Sequence, residues 1–388
     1  MDVVKIAQEL IAFDSVTSAS NAAISRRLSE LLSELGFEIE SLPYTDAHGT
    51  QKISLAARRP AANGSGSTAN SGIGFFCHSD VVSVDGWNCE HGGPFAGSFA
   101  QGRLWGRGAC DMKGPTAAAL VAISHINRQV QNAPIYFFIT GDEECGMTGA
   151  RLLTQQSTHF ADMVARQVVG VICEPTALQV VNAHKGGCHI DIKSMGVAAH
   201  SSTAEGRNAN WQMIPLLTYL EQLNRRCETE ASFRNEDFSP PTMTMNVVIE
   251  NIPSSANITV GQAICRIFFR PMPGTNWQTV LDDIVCEAHR LGLEVHALPS
   301  LRPLSTPASS RFVQTALQLL GQAAPRAVSY ATDGCCFEQL PDLIVIGPGN
   351  IEQAHRVDEW IDVAQLIRGV DVYRNLIEHY ATAKGKSN

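Results

Sequence analysis

Three short, uninterrupted apolar runs constrain the fold of this chain more than any other feature of its sequence. They read GIGFFC, PIYFFIT and VVGVIC, and helical stretches separate them, one of which is opened by Pro115. A strand that is apolar along its whole length is buried on both faces, as in parallel sheets covered by helices on either side. The sequence therefore predicts an α/β fold with a mostly parallel sheet and helices on both faces.

The pattern of apolar and polar residues changes after about residue 180, and the earlier pattern returns near residue 305. Between these points, GGCHIDIKSMGVAAHSS and QAICRIFFRPMPG alternate like half-exposed antiparallel strands, with two helical stretches beside them. The order strand–helix–strand–strand–helix–strand suits a small α+β domain. We therefore predict one α/β domain in two parts, 1–180 and 298–388, interrupted by an inserted α+β domain at 181–297.

Charge and composition argue against several classes of function. The 388 residues include 29 basic and 38 acidic side chains, a formal net charge of −9 without any basic block, so no nucleic-acid partner is expected. No apolar run approaches the roughly 18 residues of a membrane helix, so no membrane association is expected either. The eleven cysteines are scattered beside apolar residues, the pattern of reduced thiols in a cytoplasmic protein.

Side chains that can bind a metal follow several extended segments at the point where each one ends. They are His78 with Asp80, Asp111, Glu143 with Glu144, Glu174, and His355. In open α/β sheets the functional crevice lies outside the carboxyl ends of the strands, so these side chains converge if the strands share one sheet. Each alone has an ordinary alternative, such as a surface histidine, a helix N-cap at Asp111 or a solvated turn. Together they favour a site.

The donor set of this candidate site is two histidines and several carboxylates, with no required thiolate. Zinc, cobalt or manganese suits such ligands, and their number suits two ions sharing a bridging aspartate. Two-metal hydrolytic sites activate water and polarise a carbonyl, and one carboxylate stays off the metal to accept a proton. Glu143 and Glu144 can divide these tasks, because neighbouring side chains in an extended segment point opposite ways.

Six blocks of the chain resemble, in family order, the signature blocks of the dinuclear-zinc M20 metallopeptidases and deacylases. They are HSD, GRGACDMKG, TGDEECG, CEPT, GVAAHSS and GPGNIEQAHRVDEW, and they span about residues 75 to 360. The resemblance implies a catalytic domain, a lid and dimerisation domain, and the following site: His78 and Glu174 on one zinc, Glu144 and His355 on the other, Asp111 bridging, Glu143 as general base, and Asp80 orienting the His78 imidazole.

The resemblance also implies roles for residues outside the metal cluster. His200 would stabilise the oxyanion, usually in the active site of a partner subunit, and Arg270 would clamp the substrate α-carboxylate. Asn257 would donate a hydrogen bond to the substrate or simply belong to a turn. Gly347 and Gly349 would let backbone amides approach a substrate carboxylate, or again only form a turn.

Three positions depart from the family pattern. Phe268 stands where an acidic residue is usual, Pro115 follows DMKG where glycine is usual, and Cys77 replaces the glycine before the first histidine. None of these changes removes a proposed ligand. All three bear on the substrate pocket, and hence on the subgroup to which the chain is assigned.

The activity implied by the resemblance is a cytoplasmic, metal-dependent amidohydrolase that removes an N-acyl group from an amino acid. The last block is most similar to the acetylornithine deacetylase subgroup, which implies conversion of N-acetyl-L-ornithine to L-ornithine and acetate in arginine biosynthesis. Two divalent ions, zinc or cobalt, and a homodimer formed through the inserted domain are expected with it. Succinyl-diaminopimelate, acetylcitrulline and the substrates of M20 dipeptidases or carboxypeptidases remain open.

The sequence argues against two functions of other classes. A dinucleotide-binding dehydrogenase would show G-x-G-x-x-G after an early strand, whereas Gly72 and Gly74 are followed by bulky residues. A non-catalytic binding protein would have lost metal ligands, and every ligand and the base are present. The hydrolase is therefore the preferred interpretation of the sequence.

Overall fold

The computed structural model describes residues 1–62 and 72–383 and divides the chain into two compact units. Unit 1 comprises Met1–Asn182, Thr306–Arg326 and Thr332–Asn388. Unit 2 comprises Ala183–Ser305 and Ala327–Ala331.

Both units contain helices and strands. In chain order they begin with α1 (Val3–Ile11), α2 (Ala22–Glu34), β1 (Glu38–Thr45), β2 (Gln51–Arg59), β3 (Ile73–His78), β4 (Ser98–Ala100), β5 (Arg103–Trp105), α3 (Lys113–Ser124), β6 (Ile135–Thr140), α4 (Thr148–Gln156), α5 (Thr158–Ala165), β7 (Val169–Ile172) and β8 (Val181–His184). They continue with β9 (Cys188–Met195), α6 (Asn210–Thr229), β10 (Met245–Ile252), β11 (Gln262–Phe269), α7 (Trp277–Arg290), β12 (Glu294–Ala297), β13 (Leu304–Ser305), α8 (Arg311–Leu320), β14 (Arg326–Val328), β15 (Leu343–Val345), β16 (Trp360–Asp362) and α9 (Val363–Ala381).

The main sheet of unit 1 confirms the predicted fold class. Its strands lie in the order β1-β2-β6-β3-β7-β15-β8, and the four in the middle, β6, β3, β7 and β15, are mutually parallel. Antiparallel pairs flank them on both sides. Because β3 and β6 end in register, with His78 opposite Thr140, the segments that follow them leave from the same edge of the sheet.

Strand β3 explains why its sequence is apolar throughout. Phe75 points to one face of the sheet, where its ring contacts Phe137 and Tyr373 at centroid distances of 6.3 and 5.4 Å. Phe76 points to the other face and lies 4.8 Å from Phe138 and 4.4 Å from Phe337. Both faces are therefore buried, as the uninterrupted apolar run predicted.

Helix α3 packs against α1 and α9 and lies directly after Asp111 in the chain. Its residues from Lys113 to Ile123 are all buried, which is typical of a helix with neighbours on every side. The small side chains Ala117, Ala118 and Ala119 allow this close packing. The loop that carries Asp111 is thus anchored to the core at its C-terminal end.

Unit 2 is built on an antiparallel sheet with the order β10-β11-β9-β12. Helices α6 and α7 share one hydrophobic core with the inward side chains of β9 and β11, among them Ile190, Ile192 and Ile267. The alternate positions carry polar groups, such as Asp191 and Arg266, whose charged atoms lie 3.7 Å apart. One face is therefore packed and the other polar, as the alternation in the sequence indicated.

Within the described residues, no helix combines the length and the hydropathy that a membrane span would need. The eleven cysteines are all free thiols, and seven of them are buried.

Candidate active site

His78 is the last residue of β3, and its imidazole is almost completely buried. Its Nδ1 lies 2.9 Å from the backbone carbonyl oxygen of Asp80. A carbonyl only accepts, so Nδ1 carries a proton, and Nε2 is the nitrogen left to face a metal ion. That Nε2 lies 3.1 Å from Asp111 Oδ1 and 3.4 Å from Glu174 Oε1. The orientation of the ring and its neighbours suit a metal ligand.

His355 approaches the same aspartate from the other side. Its Nε2 lies 3.0 Å from Glu144 Oε2 and 3.4 Å from Asp111 Oδ2, and its side chain is half exposed. Asp111 therefore presents one carboxylate oxygen to His78 and the other to His355. This is the arrangement of a carboxylate shared by two ions.

These five residues fit two divalent ions. Nitrogen and oxygen ligands of a tetrahedral zinc lie 2.0–2.2 Å from the ion, which places them about 3.3 Å from one another. The four donor separations from the histidines, 3.0 to 3.4 Å, agree with that spacing. Donor atoms of His78, Asp111 and Glu144 form one compact group, and those of His78, Glu143 and Glu174 form another.

Burial and crowding raise the pKa values of the glutamates in this cluster. Burial is the main cause that raises the pKa of Glu174 to about 8 and that of Glu144 to about 7, and the charge of Asp111 adds to both. Hydrogen bonds to Asp111 and Glu144 raise the pKa of His355 to about 10. A site that favours protons so strongly has an excess of negative charge, which a bound cation would neutralise.

Glu143 and Glu144 lie in a one-turn 3-10 helix, Glu143–Cys145, which follows β6. The predicted division of their roles by an extended segment is therefore wrong in its geometry. The tight turn still separates the two carboxylates: Glu144 contacts His355, and Glu143 lies within 4.8 Å of donor atoms of His78 and Glu174. Burial raises the pKa of Glu143 well above its usual range.

Asp80 acts on the turn as well as on the histidine. Its carboxylate oxygens accept the backbone N–H groups of Glu143 and Glu144 at 3.3 and 3.2 Å. The same carboxylate lies 3.8 Å from His78 Nδ1, which already donates a hydrogen bond to the Asp80 backbone carbonyl. The hydrogen bond that orients the His78 imidazole therefore comes from the main chain of Asp80, and its side chain holds the two glutamates.

The backbone amides of Gly347 and Gly349 have hydrogen-bond partners within the protein, and the substrate-binding role of the two glycines stays a prediction. The N–H of Gly347 donates to Thr176 Oγ1 at 3.2 Å, and that of Gly349 donates to Gln365 Oε1 at 3.0 Å. A Cβ at Gly347 would lie only 2.2 Å from the carbonyl oxygen of Cys173 and 2.4 Å from that of Glu174. Glycine is needed here because this loop packs directly on the segment that carries Glu174.

The remaining predicted residues lie in unit 2. His200 is exposed and forms a bridge with Ile258, so that it lies beside Asn257, whose backbone carbonyl accepts the Ser201 N–H at 3.0 Å. The guanidinium of Arg270 lies 4.7 Å from the centre of the Phe268 ring. The phenyl group that replaces the usual acid therefore provides Arg270 with a cation–π contact.

Asp142 has a structural role that the sequence did not reveal. It adopts a left-handed conformation (φ +61°) and begins the turn that carries the two glutamates. Its carboxylate contacts Lys52 Nζ at 3.0 Å and accepts the Tyr44 hydroxyl at 3.0 Å. The one available signal was Lys52 itself, a charged residue within the largely apolar segment that precedes Arg58.

Asp333 is a second buried acid that sequence reasoning missed. Its Oδ2 contacts the Thr140 hydroxyl at the end of β6, while its Oδ1 is buried without a hydrogen-bond partner. Burial raises the pKa of this carboxyl to about 7. The neighbouring Cys335 and Cys336 belong to neither group of potential metal ligands among the described residues.

Comparisons with known sequences found a matching family model and similar relatives. The model of peptidase family M20/M25/M40 matches residues 74–379. The acetylornithine deacetylase of Proteus mirabilis (strain HI4320) is 34% identical over 384 residues, covering 96% of this chain and 94% of the relative. That of Myxococcus xanthus is 29% identical over 382 residues and covers 96% of both chains.

Solved structures share the fold at lower identity. An M20 family metallo-carboxypeptidase from Sulfolobus solfataricus matches with a TM-score of 0.74 and 18% identity, covering 98% of this chain and 99% of that one. The YXEP protein of Bacillus subtilis, a dinuclear metal-binding peptidase of the M20 family, matches with a TM-score of 0.65 and 14% identity over 96% of each chain.

Proposed function

Since the chain belongs to peptidase family M20/M25/M40, whose relatives hydrolyse amide bonds, we propose that it removes the N-acyl group of an amino acid. The preferred substrate is N-acetyl-L-ornithine, cleaved to L-ornithine and acetate in arginine biosynthesis. The name shared by relatives at about 30% identity over nearly the whole chain supports this substrate. We also propose a cytoplasmic location, in keeping with the eleven free thiols.

The observation that carries the proposal is the position of Asp111 between two histidines. Its two oxygens face His78 and His355 at 3.1 and 3.4 Å, and each histidine has a further carboxylate neighbour, Glu174 or Glu144. We therefore assign Asp111 as the shared ligand of two divalent ions, zinc or cobalt. His78 and Glu174 would complete one site, and Glu144 and His355 the other.

Two ions held in this way would activate a water molecule and polarise the scissile carbonyl. Glu143 is the general base: it takes a proton from the attacking water and returns it to the leaving amine. Burial raises the pKa of Glu143 in the metal-free protein, and two bound cations would lower it again, so that the carboxylate could accept the proton. Asp80 keeps Glu143 in place through the backbone N–H. Roles for His200 in oxyanion stabilisation, and for Arg270 and Asn257 in substrate binding, remain predictions from the family resemblance.

An amine-release assay across candidate substrates tests the proposal. The panel contains N-acetylornithine, N-succinyl-diaminopimelate, N-acetylcitrulline and dipeptides, and each is assayed after chelation and after zinc or cobalt is restored. We expect metal-dependent turnover that is highest with N-acetylornithine. Preference for another member would replace the substrate, and absence of metal-dependent turnover of every member would overturn the hydrolase assignment.

We further propose that a second copy of the chain covers the outer edge of the unit 2 sheet. Strand β10 is first in the sheet order, and it exposes Val248, Ile249 and Ile252 by 45–49%. Helix α6, which packs in the same core, exposes Trp211 by 70% and Ile214 by 47%. A long, exposed apolar edge strand favours pairing with another strand, and the β10 of a second copy would pair with it in a symmetric dimer.

Sedimentation velocity tests this dimer. The wild type is expected to sediment as a dimer, and Ile249→Lys as a monomer, because the substitution places a charge on the edge. Ile367→Lys is the matched control, since Ile367 is equally exposed (50%) but lies on α9 of unit 1. A wild-type monomer, or an equal effect of both substitutions, would refute the proposed interface.

A further inference from the structure

Glu359 is completely buried, and its carboxylate accepts hydrogen bonds from the loop that carries Asp111. It follows His355 by four residues and immediately precedes β16. Its Oε1 accepts the backbone N–H groups of Cys110 and Asp111 at 2.8 and 3.0 Å. Its Oε2 accepts the N–H of Gly108 at 2.9 Å and Arg107 Nη1 at 2.8 Å. Both oxygens are thus saturated by donors of one short loop.

The backbone of the two segments is joined as well. The N–H of Gly106 donates to the Glu359 carbonyl oxygen at 3.0 Å, so main chain and side chain hold the loop together. Gly108 has a φ of +83°, and a Cβ there would lie 2.8 Å from Lys113 Cδ. The loop is therefore a glycine-dependent turn whose N–H groups point inward, around the carboxylate.

This geometry ties two parts of the metal cluster to each other. Hydrogen bonds from N–H groups to a carboxylate are stronger than those between neutral partners, and here they fix the amide of Asp111 itself. Glu359 belongs to the same segment as His355. Any displacement of its carboxylate would move the shared aspartate relative to that histidine, and with it the spacing that the two ions require.

We infer that Glu359 is a positioning residue that sets the affinity of the cluster for divalent ions by fixing Asp111. It is not a catalytic residue, because its oxygens are fully occupied by the loop. This inference deepens the proposed function and rests on the part of it that assigns the ions to the cluster. It does not depend on which amide is hydrolysed.

Glu359→Gln is the informative substitution, because it keeps the shape of the side chain and replaces one acceptor oxygen with an NH2 group. That group would face N–H donors of the loop and could not bond them. Loss of such an outer partner typically weakens metal binding 10- to 100-fold, and we expect a loss of about this size for zinc or cobalt. The readouts are competition with a chromophoric chelator and the absorption spectrum of the cobalt-loaded protein.

Glu40→Gln is the matched control. The Glu40 carboxylate accepts the Ser157 hydroxyl at 2.6 Å and the His159 N–H at 3.4 Å, and contacts Thr158, none of which belongs to the metal cluster. This variant is expected to bind ions like the wild type even if it unfolds at a lower temperature. Glu359→Asp, which keeps the charge but shortens the side chain, should retain more affinity than Glu359→Gln.

The outcomes separate the positioning role from a merely structural one. Unchanged ion affinity in Glu359→Gln, or an equal loss in Glu40→Gln, overturns the inference. If Glu359→Gln fails to fold, Glu359→Asp decides: affinity lowered in a folded protein supports the inference, and wild-type affinity refutes it. Wild-type protein that binds ions but hydrolyses no substrate of the panel refutes the proposed activity alone, whereas wild-type protein that binds no ions refutes both.

Discussion

Lys52 Nζ lies 3.0 Å from Asp142 Oδ1, and the two side chains are only 1% and 3% exposed. The lysine also donates to the backbone carbonyls of Thr17 and Ala19 at 2.5 and 2.8 Å, so its charge is well solvated by the protein. The aspartate begins the turn that carries the two glutamates of the site. A buried ion pair thus connects strand β2 to the catalytic turn.

Lys52→Met should destabilise the protein severely, because it leaves the Asp142 charge buried without its partner. Breaking a buried pair in this way typically costs about 3–5 kcal/mol, which urea denaturation would measure as a lower free energy of unfolding. The double variant Lys52→Met with Asp142→Asn should recover part of that loss. Arg27→Ala is the control, since the Arg27–Glu9 pair is partly exposed and should cost at most about 1 kcal/mol.

Glu143→Gln should abolish most of the turnover without removing the ions. The amide cannot take a proton from water, and loss of a general base typically lowers kcat by about 10²–10⁴-fold. Metal content by mass spectrometry should stay at the wild-type value, because Asp111, Glu144 and Glu174 are unchanged. A variant that retained activity would show that another group is the base.

His355→Ala should reduce the number of divalent ions bound per chain. Its Nε2 faces two carboxylate oxygens, and without it Glu144 and Asp111 are left with mutual repulsion and no nitrogen ligand. Metal analysis after gel filtration would measure the loss. His125→Ala, an exposed histidine at the end of α3, should retain the wild-type stoichiometry. Equal metal content in both variants would remove His355 from the site.

The sequence predicted those parts of the molecule in which local pattern and chemistry coincide. Strand β3 could be recognised because Phe75 and Phe76 both need burial, and His78 because it stands where that strand ends. The preference of metal ions for nitrogen and oxygen ligands then sufficed to group the carboxylates into one predicted site. The turn at Glu143 and Glu144 was mispredicted because its conformation depends on Asp80, which accepts its N–H groups from the segment after β3.

Other features were hidden because the partners are distant in sequence. Glu359 accepts hydrogen bonds from backbone amides about 250 residues earlier in the chain. Nearly every residue has a backbone N–H group, so the sequence does not reveal which of them will donate. Asp333 meets Thr140 only once the chain has folded. The close packing of Gly347 was hidden too, because glycine alone does not distinguish an approach to a substrate from an approach to Cys173 and Glu174.

Gly347→Ala should destabilise the protein and displace Glu174, the proposed metal ligand. The added Cβ would lie 2.2–2.4 Å from two backbone carbonyl oxygens, which cannot move aside as a flexible side chain could. We expect a lower thermal unfolding temperature together with weaker metal binding. Gly93→Ala is the control, because nothing lies within 4 Å of that position and its φ is not left-handed. Equal stability of both variants would contradict the packing role.

Asp333→Asn should stabilise the metal-free protein at alkaline pH. Burial raises the pKa of Asp333 from 3.8 to about 7, so the folded state holds a proton that the unfolded state releases. The wild type therefore loses stability as the pH rises from about 4 to 7, by an amount on the order of 4 kcal/mol when the carboxylate is fully ionised. The amide does not titrate, although its NH2 group is left without a partner at a cost of about 1–3 kcal/mol.

The signature of this effect is a difference that changes with pH. In urea denaturation of metal-free protein, Asp333→Asn should be more stable than the wild type at pH 8 by about 1–3 kcal/mol. At pH 4 the advantage should vanish or reverse, because the wild-type carboxyl is then protonated in the folded state and no charge is buried. A constant difference between the two proteins from pH 4 to pH 8 would mean that Asp333 is not ionised at a cost in the folded state.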